Sequence, residues 1–173
     1  MEESKSKRVI DSSYGSSQGD EDDYNDGAEF ALSKAKKVLE VTEKRRDNRL
    51  DFEDFGLHDI AFITNERRQT RWEFIVELNL SRNNLVNIDQ VSSTFSSLVV
   101  LRASQNYLTQ VTLSLPSLEQ LHLDHNQVVQ FPLLNALPKL RLLNLKGNQL
   151  KDLSSDFRGP ITASLEALDL SDN

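Results

Sequence analysis

Ile75-Val-Glu-Leu-Asn-Leu-Ser-Arg-Asn-Asn-Leu85 decides how this chain folds, because the same phrase is written three more times. Leu98-Val-Val-Leu-Arg-Ala-Ser-Gln-Asn-Tyr-Leu108, Leu118-Glu-Gln-Leu-His-Leu-Asp-His-Asn-Gln-Val128 and Leu140-Arg-Leu-Leu-Asn-Leu-Lys-Gly-Asn-Gln-Leu150 are the later copies. Leu165-Glu-Ala-Leu-Asp-Leu-Ser-Asp-Asn173 starts a further one. Each fits L-x-x-L-x-L-x-x-N-x-L, and its core alternates with the period of a strand. Alternation sends the leucines to one side and the residues between them to the other.

Upstream, Leu50-x-Phe52-x-x-Phe55-Gly-Leu57 reads as a degenerate copy. Leu50, Phe52 and Leu57 take inward positions, and Phe55 stands in the asparagine's place, where it is expected to point inward. The fourth-position leucines are then Leu50, Leu78, Leu101, Leu121, Leu143 and Leu168, at intervals of 28, 23, 20, 22 and 25 residues. Units of this length cannot bury their apolar face alone and must stack. The chain here resembles the leucine-rich-repeat family. That resemblance implies an α/β solenoid: a curved, right-handed superhelix with a parallel β-sheet on its concave face and an N-terminal capping helix. It also implies that Asn83, Asn106, Asn126 and Asn148 bond the turn backbone of adjacent repeats. The interval near 22 residues and the Leu-Pro-x-Leu steps at 115–118 and 137–140 are similar to the intracellular class, which includes a protein phosphatase 1 regulatory subunit and ciliary and cytoskeletal proteins.

The expected organisation has three parts. Residues 1–25, rich in Ser, Asp, Glu and Gly, lack the apolar content to offset ordering entropy and read as a disordered tail. Ser16 and Ser17 precede the acidic run 20–23, where phosphorylation would add further negative charge. Residues 26–46 read as the capping helix, with Asp26 as N-cap, Glu29 completing a capping box, and Ala31, Ala35, Val38, Leu39 and Thr42 on one face. Residues 47–173 form the repeat domain. The extra length of the first interval, 64–72, reads as a helix bearing Arg67, Arg68 and Arg71. Trp72, Phe95, Leu115 and Leu137, each three residues before a phrase, read as core on the convex side. Ala103 replaces a strand leucine, so the core of the second repeat is expected to be looser there or filled by Phe95.

Charge and composition narrow the function. A net charge of -7 on 173 residues lacks the basic face that nucleic acid requires. No stretch is long and apolar enough for a membrane span. The chain has no cysteine, so disulfide-sealed caps cannot form, and its polar N-terminus does not read as a secretory signal. A cytoplasmic protein is therefore expected, with the cilium or cytoskeleton suggested by the resemblance. No phosphate loop, nucleophile elbow or metalloprotease motif occurs, so the expectation is a non-enzyme with no cofactor. His122, Asp124 and His125 are metal-ligand types, but their crowding on one strand and turn argues against a single ion.

What remains is the outward face of the strands, and the binding site for a protein partner is expected there. Its residues are Glu77, Asn79, Arg82, Val100, Arg102, Gln120, His122, Asp124, His125, Leu142, Asn144 and Lys146. The centre is basic and the ends acidic, while Val100 and Leu142 should add exposed apolar surface. Such a face suits a partner presenting carboxylates to the middle. The alternatives are the recognition part of a larger signalling enzyme or of a phosphatase or kinase complex, or a structural ciliary or cytoskeletal component. The last repeat, uncovered, could also support self-association.

Overall fold

In the computed structural model, residues 21–64, 72–133, 136–151 and 164–173 are described. The serines at 16 and 17 and the arginine cluster at 67–71 lie outside them, as do most of the tail and of the insert. Helix α1 (Glu21–Arg45) is followed by β1 (Arg49–Asp51), α2 (Ala61–Thr64), β2 (Glu77–Asn79), α3 (Val91–Thr94), β3 (Val100–Arg102), β4 (Gln120–His122), β5 (Leu142–Asn144) and β6 (Ala167–Asp169). The six strands form one parallel sheet in sequence order. Their register aligns Leu50, Leu78, Leu101, Leu121, Leu143 and Leu168 in a single row. Chain order equals spatial order, as a solenoid requires. No helix among the described residues is long and apolar enough to cross a membrane.

The core lies behind the sheet. Leu50, Leu78, Leu101 and Leu121 are fully buried, as are Phe52, Leu80, Ala103, Leu123 and Leu145 in the second row. Trp72, Phe95, Leu115 and Leu137 close the far side and are buried as expected. Each also opens a tight turn. The N–H groups of Ile75, Leu98, Leu118 and Leu140 donate to the carbonyls of Trp72, Phe95, Leu115 and Leu137 at 3.0, 3.3, 3.1 and 3.1 Å. Proline suits the second position of such turns, which accounts for both Leu-Pro-x-Leu steps. Ala103 and Phe95 are both without exposed surface, so the small residue leaves no opening to solvent.

Asparagine ties the layers together, and it does so in one direction. The side-chain oxygens of Asn83, Asn106, Asn126, Asn148 and Asn173 accept from the N–H of Leu57, Leu85, Leu108, Val128 and Leu150, at 2.9, 3.0, 3.1, 3.0 and 3.2 Å. Their amide nitrogens donate to the carbonyls of Phe52, Leu80, Ala103, Leu123 and Leu145, again in the preceding repeat. Every asparagine thus reaches backwards.

The residue before each asparagine position is left-handed: Asp54, Arg82, Gln105, His125, Gly147 and Asp172 all have φ between 55° and 65°. The first five of these turn their N–H forward onto the carbonyls of Ser81, Ser104, Asp124, Lys146 and Ser171. Five side-chain-bearing residues tolerate this conformation, which glycine adopts most readily.

Two expectations need correction. Phe55 lies at the margin of the core rather than inside it: half-buried and packed against the buried cluster, it stands edge-on to Phe52 with ring centres 5.7 Å apart, and Lys34 of α1 stands 4.1 Å above its ring. The backward reach explains this, because an asparagine in the first repeat would have no earlier turn to hold. Helix α1 also starts at Glu21 rather than Asp26, so Asp26 lies within the helix and not at its N-cap position. Residues 21–25 contain neither proline nor glycine to stop the helix earlier. The packed stripe is as expected, with Ala31, Ala35, Leu39 and Thr42 buried and Val38 half-buried. At the far end Arg46 is left-handed, while Arg46 and Asp47 N–H bond the carbonyls of Glu43 and Thr42 at 3.4 and 3.2 Å. This is a Schellman closure without glycine.

Candidate binding face

The outward residues of β2 to β5 lie in three aligned columns. Glu77, Val100, Gln120 and Leu142 form the first, and Asn79, Arg102, His122 and Asn144 the second. Ser81, Ser104, Asp124 and Lys146, two residues further along, make the third. Arg82 and His125 follow in the left-handed turns, exposed. Opposite residues on adjacent strands sit about 5 Å apart, so column neighbours lie within side-chain reach of one another.

The centre is partly pre-bonded. Asp124 Oδ1 accepts from Ser104 Oγ at 2.6 Å and from Asn144 Nδ2 at 3.1 Å. Asn144 Oδ1 in turn accepts from the N–H of Lys146 at 3.0 Å. Lys146 Nζ pairs with Asp172 at 3.4 Å, which ties the basic middle to the acidic end. At the other end Asn79 donates to Glu53 Oε2 at 3.0 Å and is 5 % exposed. Asn79 is therefore committed to the scaffold. Val100 is 7 % exposed, against the expectation of open apolar surface. Its strand neighbours Glu77 and Gln120 are longer and stand on either side of it. Leu142 keeps partial exposure and supplies the apolar contact that remains.

Between these ends lie Arg102 and His122, paired across β3 and β4. Arg102 Nη1 is 3.7 Å from Glu77 Oε2, in ion-pair range but beyond a hydrogen bond. That nitrogen and His122 Nε2 are both buried without a hydrogen-bond partner. Burial holds the His122 imidazole below its ordinary pKa of 6.5; the Arg102 charge lowers it further, against the opposing pull of Asp124. His122 therefore stands neutral at neutral pH. His125 lies over Gly147, where an added Cβ would meet Nδ1 at 2.7 Å.

Arg49 completes the face, and the phrase-by-phrase reading missed it. Arg49 Nε approaches Glu77 Oε2 at 3.6 Å, so two arginines share one carboxylate oxygen. Counting back two residues from Asp51 in the degenerate first copy would have placed Arg49 in the Glu77 column. Among the described residues, no cluster of three or more His, Asp or Glu side chains is arranged to hold a metal ion.

Comparison with known proteins bears on the repeat and not on the face. A family model described as Leucine Rich repeats (2 copies) matches residues 116–159. Lumican from Oryctolagus cuniculus is 37 % identical over 102 residues, covering 57 % of this chain and 52 % of that protein. Keratocan from Danio rerio is 35 % identical over 92 residues, covering 44 % of this chain and 26 % of that protein. Fibromodulin from Oryctolagus cuniculus is 35 % identical over 104 residues, which is 58 % of this chain and 71 % of that sequence. The chain thus spans about half the length of the lumican it matches and less of the keratocan. Internalin C2 from Listeria monocytogenes shares the fold, with a TM-score of 0.58 at 22 % identity over 70 % of this chain and 50 % of that one. These likenesses do not reach the narrower intracellular class, with its phosphatase regulators and ciliary proteins, that repeat length suggested. They do meet the row of leucines and the asparagine column at the level of the repeat itself, and the chain belongs to the leucine-rich-repeat family.

Proposed function

We propose that this chain is a non-enzymatic recognition module that takes a protein partner on the outer face of its sheet, over β2 to β5. One observation carries the reading: side chains far apart in sequence are brought into three aligned columns on a rigid frame. A frame of stacked repeats holds such columns without closing over them, which is how solenoids present extended binding surfaces. The partner contacts fall to Arg82, Arg102, Gln120, His122, His125, Leu142 and Lys146, with Asp124 and Asn144 holding the centre in place. Asn79 and Val100 act as support. The compartment proposed is the cytoplasm, on the cysteine-free composition alone. A second reading, the recognition part of a longer protein, draws on the chain's partial span of its relatives.

Replacing Arg102, His122 and Lys146 together by glutamate should abolish capture of the partner from native extract while leaving the circular dichroism spectrum unchanged. Capture of the same proteins by both forms would move the site elsewhere.

A further inference from the structure

The centre of the outer face holds unused hydrogen-bonding capacity in one place. Arg102 and His122 are register partners on neighbouring strands. The guanidinium has a buried nitrogen with no hydrogen bond and only a 3.7 Å contact to Glu77, while its side chain is 36 % exposed. The imidazole has a buried Nε2 with no hydrogen bond. Polar atoms left in this state cost free energy, and because both lie just beneath the face, a ligand meets them only as the two side chains turn outward. Asp124 does not meet them; its Oδ1 bonds Ser104 and Asn144 instead. Glu77 does not either, because its Oε2 is shared at long range between Arg49 and Arg102.

We propose that Arg102 and His122 form the anchor for one carboxylate side chain of the protein partner, and that His122 takes up a proton from solvent as that carboxylate docks. This rests on the outer face being the binding face. The planar guanidinium matches a carboxylate's two oxygens, and Leu142, half-buried in the adjoining column one strand beyond His122, offers apolar contact for the adjoining part of the ligand. The contact with Glu77, at the limit of an ion pair, is weak enough to exchange for a closer one.

The proton follows from the charges around His122. Arg102 on β3 opposes protonation; Asp124, two residues past His122, favours it, with its Oδ1 damped by two hydrogen bonds. Glu77 of β2 lies beyond Arg102, His125 stands in the next turn, and Lys146 follows Asn144 on β5. Free, the imidazole is neutral at neutral pH. A docked carboxylate neutralises Arg102 and adds a negative charge, and both changes raise the affinity of His122 for a proton. The complex then binds more protons than the free chain, so affinity rises as pH falls from the bound-state pKa towards the free-state one. It falls again once the ligand's own carboxylate protonates.

The test uses the full chain and a display library of short random peptides as the probe. Selected sequences should be enriched in Asp or Glu at one position, and replacing that residue by its amide should weaken binding about ten- to a hundredfold. Arg102→Gln should cause a similar loss. Across about pH 8 to pH 5, the range in which histidine titrates, binding should strengthen by up to about tenfold per unit, the limit for one proton. His122→Gln should flatten that slope. Gln120→Trp, which blocks the middle of the face, separates the two levels of the claim. Peptides lost with Gln120→Trp but free of acidic enrichment, or indifferent to Arg102→Gln, overturn the carboxylate anchor and leave the binding face standing. Acid-selective binders whose pH slope survives His122→Gln overturn the proton uptake. Binders that survive Gln120→Trp, or a library that yields none, overturn the face and the anchor together.

Discussion

Leu121→Ala should destabilise the chain by about 2–5 kcal/mol, the range for truncating a well-packed core leucine. Leu121 has no exposed surface and pairs with Leu101 on one side and Leu143 on the other. Repeats on both sides would have to move to fill the gap, and each is fixed by its own ladder. Partial collapse is therefore the best the site can achieve, and most of the cavity cost should survive. Leu168→Ala is the matched control, because Leu168 occupies the equivalent position in β6 but is 36 % exposed. Its cost should be under about half as large, since less apolar area leaves the core. Urea unfolding of both variants checks the pair. A Leu121→Ala midpoint equal to that of the parent would contradict the strand register.

The second large effect belongs to the asparagine column. Asn126→Ala should cost about 2–5 kcal/mol, because it strands several buried groups at about 1–3 kcal/mol each. The N–H of Leu108 loses its acceptor at 3.1 Å, and the carbonyls of Ala103 and Leu123 lose donors at 2.9 Å. Asn126→Asp is the sharper variant. It keeps the acceptor for Leu108 but turns a carboxylate towards two carbonyl oxygens, so it should be no milder than alanine at neutral pH. Asn173→Ala removes the same pattern of bonds where they are largely exposed and should cost under about 1 kcal/mol, water replacing what is lost. Calorimetry on the three variants tests the ranking. An Asn126→Ala change as small as that of Asn173→Ala would mean that the column is decoration.

Much of this architecture was legible in the residues. The leucine rows, the convex-side residues Trp72, Phe95, Leu115 and Leu137, and the buried stripe of α1 all follow from spacing. A hydrophobic period states directly which face must leave water. Phe55 was legible as a departure, but its placement was not. Its position depends on which way the asparagines reach, and a spacing carries no arrow. The start of α1 was misplaced because Asp26 and Glu29 look like a capping box, and nothing local says that five earlier residues are helical too. The face was half legible. Alternation named its columns, but not that Asn79 is tied to Glu53 or that Val100 is covered by its neighbours. Those depend on side-chain length across strands that are some 20 residues apart. The orphaned nitrogens of Arg102 and His122 were invisible for the same reason.

The backward reach of the asparagines also gives the solenoid a grain. Cut between β5 and β6, the chain would still contain every acceptor and donor that Asn83, Asn106, Asn126 and Asn148 use. Begun at β2 instead, it would open on an asparagine with no turn to hold, which is the situation that Phe55 and α1 avoid in the first repeat. Peptide leaves a ribosome in the same order. Each asparagine is therefore synthesised after the turn it fastens, and every new coil arrives carrying the clasp for the one already made.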